Sequence, residues 1–346
     1  MLGRYLVCRE RFRVNHVEGL RPADQFNHKI EYGQMWHAAE EAVAGELFPD
    51  DARGHHGAGI GVYADKLCRK YPLSQEQIRH WERVCRVQFP IYNHHYRNEP
   101  AGKTLLAETV FDVPYKIPSG RVVRLRGKWD KVELAKNGVY LWDHKTKGDV
   151  DVEQIRRQLT FDLQTMFYLV ALTTYQVQPK QYRLGGEGIP RSEPIKGVIY
   201  NVVRRPLSGG KGNIKQKQGE TADEYYARLA AYVKDEPETY FWRWRTEITP
   251  GDVEVFRRTC LDPILDNLLD DYEWWDWCFR EGDRTSVFDG ELRARVRPLD
   301  VNRHYRQPFG VWNVLAEGGS TDLDEYLATG SEVGLVRGGK LFEELQ

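Results

Sequence analysis

The five cysteines of this chain, Cys8, Cys68, Cys85, Cys260 and Cys278, are few and scattered, and no two stand in a C-x-x-C spacing. That pattern suggests neither a zinc knuckle nor a disulfide framework and points to a reducing compartment. Long apolar runs are lacking as well: none could span a membrane, and the N-terminal MLGRYLVCRERFR has no signal-peptide core. The expectation is a cytoplasmic chain with no membrane partner. An excess of either charge is also missing. The 50 Lys and Arg against 51 Asp and Glu leave a formal charge of −1, so any site for a polyanion must be a local patch. A complete G-x-x-x-x-G-K-[ST] loop is absent. The run from Gly334 to Lys340 comes near, but Leu341 replaces the metal-binding hydroxyl and no helical pattern follows. There is no internal repeat.

What is present suffices for a large core. At 346 residues the chain can hold one large domain or two small ones, and ten Trp and nineteen Tyr enrich it in amphipathic aromatics. Helical and strand patterns are interleaved along the length, which predicts an α/β fold with a mixed sheet.

The most informative stretch runs from Gly127 to Lys145, GKWDKVELAKNGVYLWDHK. Two alternating runs flank Asn137-Gly138. Asn-Gly between such runs is the strongest short-range hairpin signal, because a type I′ turn needs positive φ at both central positions. With that pair at the turn centre, Leu134 faces Leu141, Val132 faces Asp143, and Asp130 faces Lys145. Residues opposite one another, and residues two apart, share a face. One face therefore carries Val132, Leu134, Val139 and Leu141, then Asp130, Asp143 and Lys145 at the end away from the turn. Charged groups at the end of a core-facing stripe are costly unless paired or metal-bound. A single Asp–Lys pair would read as a structural ion cluster. Two aspartates converging with a lysine read better as a hard-cation site beside an ammonium, because Mg²⁺ prefers oxygen ligands and keeps several waters.

The order hairpin, D-x-K, helix with Q-x-x-x-Y is more specific than any of its parts. Here it is Asp130, then Asp143-His144-Lys145, then Gln164 and Tyr168. In that order the chain resembles the PD-(D/E)XK nuclease superfamily in its RecB-type exonuclease branch, which includes phage-encoded and CRISPR-associated enzymes. The resemblance implies a restriction-endonuclease-like α/β core, with a mixed central sheet flanked by helices, and hydrolysis of DNA with Mg²⁺ or Mn²⁺. It implies a metal held by Asp130, Asp143, the carbonyl of His144 and His37, with Lys145 orienting or helping to deprotonate the attacking water. His37 enters because G-x-x-x-H followed by an acidic pair, on a helix predicted over 30–47, is similar to the family's N-terminal helix. Taken alone, a helix histidine is more often a packing or surface residue. Glu40 and Glu41 read as solvated or as backing the ligands. Glu108 is a candidate outer carboxylate, since the family often carries Glu on the equivalent strand. Gln164 and Tyr168, four apart and so on one helix face, would hold the scissile strand, because an amide and a phenol donate to phosphate without competing for metal.

Elsewhere, 104–134 reads as two strands joined at Pro118-Ser119-Gly120, and Arg124, Arg126 and Lys128 form either a solvated edge or a phosphate-facing row. Helices are predicted near 58–70 and 74–89, inside a helical insertion over 51–98. His55-His56 just before them is a poor chelator without further ligands. One long helix is predicted over 151–176, its apolar Leu163, Met166, Phe167 and Val170 following the helical period, and a strand over 195–205. Residues 204–220 lack periodicity and read as a mobile loop. Its Arg204, Arg205, Lys211, Lys215 and Lys217 are either solvated or a phosphate-contacting arm; the resemblance favours the arm, since phage-encoded relatives often carry such a loop. A final helix is predicted over 252–279, with a kink or a break at Pro263. Its Trp274, Trp275 and Trp277 could stack bases but read mostly as core.

Several RecB-type exonucleases carry a four-Cys iron–sulfur cluster, with one Cys near the N-terminus and three near the C-terminus. Cys8 matches the first, but RPLDVNRHYRQPFGVWNVLAEG contains no Cys, so no cluster is expected. Tyr305, Phe309 and Trp312 are instead the candidate fillers joining the two ends by packing. The combined expectation is one nuclease domain over 1–317 with a loosely ordered tail over 318–346. It would be a Mg²⁺-dependent exonuclease acting on single-stranded or duplex DNA ends in recombination, repair or phage DNA processing, leaving a 5′-phosphate if it follows the family. Any helicase or recombinase partner would be another chain, in a bacterial or phage-infected cell. The alternatives are an endonuclease of the same fold and a catalytically silent DNA-end-binding module. The presence of both aspartates and Lys145 argues against the silent module.

Overall fold

The computed structural model describes residues 2–7, 9–17, 19–22, 25–44, 55–100, 102–177, 189–207, 214–281 and 335–337. The chain divides into two compact units, Phe26–Arg258 and Met1–Gln25 with Thr259–Gln346. The expected domain end at 317 lies outside the described residues. The larger unit begins with three helices, α1 (His28–Ala44), α2 (His55–Lys70) and α3 (Gln75–His95). Small residues set how closely α1 packs. A Cβ on Gly59 of α2 would lie 2.4 Å from the carbonyl oxygen of Ala38, so the alanines of α1 receive a neighbouring helix as well as facing the sheet. With α6 (Ala222–Asp235) these helices close over a core of Tyr32, Trp36, Ile60, Trp81, Phe89 and Leu229, which also takes in Val203 and Phe241 from the sheet.

The sheet follows the predicted alternation. Strands β1 (Lys103–Lys116), β2 (Val122–Ala135) and β3 (Gly138–Lys147) form an antiparallel meander. Helices α4 (Val152–Leu159) and α5 (Leu163–Val177) then cross over to β4 (Ile195–Arg204), which runs parallel to β3. Strand β5 (Phe241–Glu247) pairs antiparallel with β4 and is followed by α7 (Pro250–Phe256). The sheet order is β1-β2-β3-β4-β5, the mixed α/β arrangement expected from the sequence.

Two local expectations need correction. The hairpin turn lies one residue earlier than Asn137-Gly138: Ala135 pairs with Gly138 and Val132 with Leu141. Gly138 starts β3 at φ +137°, where a Cβ would lie 2.5 Å from the Pro194 carbonyl oxygen, and the next amide, of Val139, donates to that oxygen at 2.8 Å. Gly138 is thus required by the close approach of the chain before β4, not by a type I′ turn centre. The register moves by an even number, so faces are kept; continued along the strands, it sets Asp130 opposite Asp143 instead of Lys145. The second correction concerns the helix over 151–176, which is two helices broken at Thr160–Asp162. The Thr160 hydroxyl bonds back to the Arg156 carbonyl at 2.8 Å, and Asp162 Oδ2 accepts from the amides of Gln164 and Thr165, capping α5 as a new helix.

The smaller unit contains short helices Leu2–Val7 and Arg9–Phe12, and α8 (Asp262–Glu281), which follows a π-helical turn, Arg257–Leu261, next to Pro263. Strand Leu20–Pro22 pairs antiparallel with Leu335–Arg337, inside the expected loose tail. Tyr5 donates to Asp271 Oδ2 at 2.6 Å and Arg9 pairs with the same carboxylate at 2.9 Å. The two ends are therefore joined by a strand pair and a buried carboxylate. Tyr305, Phe309, Trp312 and Cys8 lie outside the described residues, as do the side chains of Trp274, Trp275, Trp277 and Cys278. Among the described residues no helix is long and apolar enough to cross a membrane.

Candidate active site

Burial along β1 and β2 changes phase in mid-strand. On β1 it falls on Phe111, Val113 and Tyr115, but on Leu106 at the other end; on β2 it falls on Leu125 and Trp129, then on Val132. The pairing register shifts earlier, between Thr104 and Leu106; the change of phase falls at Glu108, a non-glycine residue at φ +45°. Pairs Ala107–Lys131 and Thr109–Trp129 bracket it, so Glu108 stands opposite Asp130. Such backbone strain persists only where surroundings over-determine it, and it concentrates at functional sites. Here it turns a carboxylate toward Asp130 and toward α1.

His37 on α1 completes the group. Its Nδ1 lies 2.9 Å from Glu108 Oε1 and 3.7 Å from Asp130 Oδ1, and the three residues offer ligand atoms within 4.8 Å of one another. Lys128 pairs with the other oxygen of Glu108. Asp130 Oδ2 accepts the backbone N–H of His144 at 2.8 Å, so the D-H-K tripeptide itself holds the first aspartate. Asp143 is nearly fully buried. Its Oδ1 pairs with Lys145 Nζ at 2.9 Å, while its Oδ2 is buried without a hydrogen-bond partner. Lys145 also donates to Gln164 Oε1 at 3.0 Å, and Gln164 Nε2 donates to the Tyr168 hydroxyl at 3.1 Å. The Q-x-x-x-Y pair is thus tied to the lysine in a line.

The electrostatics fit a site held for a cation. Burial raises Asp130 to about 6; His37 works against that rise and Asp143 adds to it. Burial also raises Asp143, against the pull of Lys145. Burial disfavours charge on His37 and on Lys145, but the neighbouring carboxylates outweigh it and raise both. Glu108, despite its burial, is lowered by His37 and Lys128. Lys128 faces Glu108, and the His37 ring stands beside both Glu108 and Asp130. An oxygen-rich set with one imidazole and an orphaned buried carboxylate oxygen on Asp143 is the donor set of a hard divalent cation.

Not every expected residue joins this cluster. The His144 ring turns to a second polar chain: its Nδ1 meets Asn201 Nδ2 at 3.0 Å and lies 3.6 Å from Glu40. Arg243 donates to Asn201 Oδ1 at 3.2 Å and to the Tyr92 hydroxyl at 2.8 Å. Asn201 and Arg243 were not singled out from the sequence. The available signal was Asn201 itself, a lone amide inside the apolar run GVIYNVV, which needs partners when buried. Glu40, read as solvated or backing, is a carboxyl raised by burial, with Lys131 and a Tyr92 hydrogen bond working against the rise. Arg124 and Arg126 both engage Asp112, away from the acidic cluster. Arg204 and Arg205, expected on an exposed basic loop, are buried. Arg204 ends a central strand, and Arg205 donates to the Lys29 carbonyl at 3.0 Å and so pins the α1 end; neither forms part of an exposed arm. Lys215 and Lys217 are exposed, and Lys211 lies outside the described residues.

Comparison with known proteins agrees with this arrangement. No curated protein matches the sequence. The model of the PD-(D/E)XK nuclease superfamily matches residues 2–260, which span the hairpin, the D-x-K tripeptide and the Q-x-x-x-Y helix. With the mixed sheet and the acidic cluster on β1, β2 and β3, this chain belongs to the PD-(D/E)XK nuclease superfamily.

Proposed function

We propose that the chain is a divalent-metal-dependent DNA exonuclease of the RecB type. The carrying observation is the convergence of His37, Glu108 and Asp130 beside Asp143, whose Oδ2 has no other partner. These four side chains, with the carbonyl of His144, would hold Mg²⁺ or Mn²⁺. The bound cation supplies a lowered pKa for the attacking water and offsets charge on a phosphoryl oxygen. Lys145 is kept as an ammonium by Asp143, which suits it to orient the nucleophile and to stabilise charge developing on the phosphate. Gln164 and Tyr168, exposed or half-buried on one face of α5, are placed to donate to the backbone of the scissile strand. Lys215 and Lys217, with Lys211, would add sequence-independent attraction to the phosphates.

Exonuclease mode, cytoplasmic action in recombination, repair or phage DNA processing, and a helicase or recombinase partner rest on the likeness of the motif order to the RecB branch. The test compares linear DNA labelled at either end with covalently closed circles. Mg²⁺-dependent loss of linear DNA, no cutting of circles and no activity with Ca²⁺ are the expected results. Cut circles would make the chain an endonuclease, and absence of any cleavage would return it to a silent end-binding module. The proposal includes no iron–sulfur cluster: protein purified without oxygen should be colourless, and Cys8→Ser should leave cleavage intact.

A further inference from the structure

Resting on that nuclease reading, we propose that Phe161, preceded on α4 by Arg156 and Arg157, is a stacking subsite for an unpaired nucleobase of the strand being cut. Helix α4 buries Ile155 and Leu159 and leaves Arg156 and Arg157 exposed. The chain then breaks, and Phe161 stands 63 % exposed in the break. Single exposed apolar residues are common and by themselves mean little. Two further observations distinguish this one.

The backbone around the ring is fastened on both sides. The Tyr200 hydroxyl donates to the Leu159 carbonyl at 2.5 Å and meets Thr165 Oγ1 at 2.8 Å, and Asp162 caps the next helix. An exposed aromatic on a fastened loop is a preorganised surface, which reduces the ordering cost of binding. The position is also specific. Gln164, three residues on, bonds Lys145, and the charge of Asp162 reaches both Asp143 and Lys145. A phosphate held at Lys145 and Gln164 carries its base one sugar away, within reach of the loop. Phenyl–base stacking accepts any base and needs that base out of its pair, while the two arginines suit adjoining phosphates. The subsite therefore favours single strands and frayed ends without reading sequence.

The test uses full-length protein and oligonucleotides carrying 2-aminopurine near the end, bound in Ca²⁺ so that they are not cut. For the parent protein we expect quenching of 2-aminopurine, and for Phe161→Ala its loss together with a fall in single-strand affinity on the order of tenfold or more. Phe161→Tyr should restore both, whereas Phe161→Ala should raise KM in Mg²⁺ more for single strands than for blunt duplexes. Unchanged affinity and quenching in Phe161→Ala, or a loss that Tyr does not restore, overturns the subsite while the parent protein's cleavage leaves the nuclease reading standing. A parent protein that neither binds nor cuts DNA overturns both.

Discussion

Lys145 and Asp143 each depend on the other: the ammonium makes burial of the carboxylate tolerable, and the carboxylate keeps the ammonium charged. Asp143→Ala and Lys145→Ala should each slow cleavage by at least ~100-fold while DNA binding persists, the usual loss for an electrostatic or acid–base group. Near-parental rates for either variant would remove the pair from the chemistry. His37→Ala should shift the Mg²⁺ concentration giving half-maximal activity upward, and an unchanged titration would make His37 a packing residue. The raised Asp130 links metal to pH. Without metal its carboxyl titrates near 6 in the folded protein against 3.8 for an ordinary Asp. Its contribution to stability is then full below its ordinary value and lost as pH rises through about 6. Ligation needs the ionised carboxylate, so the rise in Tm produced by Mg²⁺ should be larger at about pH 8 than at about pH 5. A metal-induced shift independent of pH would contradict this. Asp130, Asp143 and Lys145 were legible because type and spacing alone bring them to one face. Glu108 was legible only through the family likeness, since its left-handed backbone falls inside an alternating strand pattern and no nearby residue announces it.

Strand order was readable element by element, because alternation and turn residues are local signals. The turn register was not: Asn137-Gly138 has the composition of a turn centre, but the glycine is required by Pro194, a contact nearly sixty residues distant in the chain. The break between α4 and α5 was hidden for a similar reason, since Tyr200 on β4 fastens both sides of it. Strand β4 also carries Asn201, whose amide orientation is set by Arg243 on β5 and passed to His144. Asn201→Leu leaves Arg243 and His144 without that partner and should lower stability by about 1–3 kcal/mol, the cost of unsatisfied buried groups. Urea unfolding checks it, and a midpoint equal to that of the parent would show that water replaces the amide.

On the scale of the whole molecule the near-zero net charge makes local patches decisive. Replacing Lys211, Lys215 and Lys217 together by Gln should weaken DNA binding and reduce its salt dependence by about one unit of slope per lost phosphate contact. A salt slope identical to that of the parent would mean that these lysines are only solvated. The two-unit division has a consequence for how the protein is made. Leu20–Pro22 is translated well before its partner Leu335–Arg337, with the whole of the larger unit in between. At about 5–20 residues per second the wait is roughly a quarter of a minute to a minute. Every strand of the five-stranded sheet lies before Arg258, so that sheet can assemble during the wait. The early strand meanwhile has an open edge, and an open edge pairs with whatever strand it meets. Nascent chains stalled between Arg258 and Leu335 are therefore the ones in which that edge is available to other polypeptides.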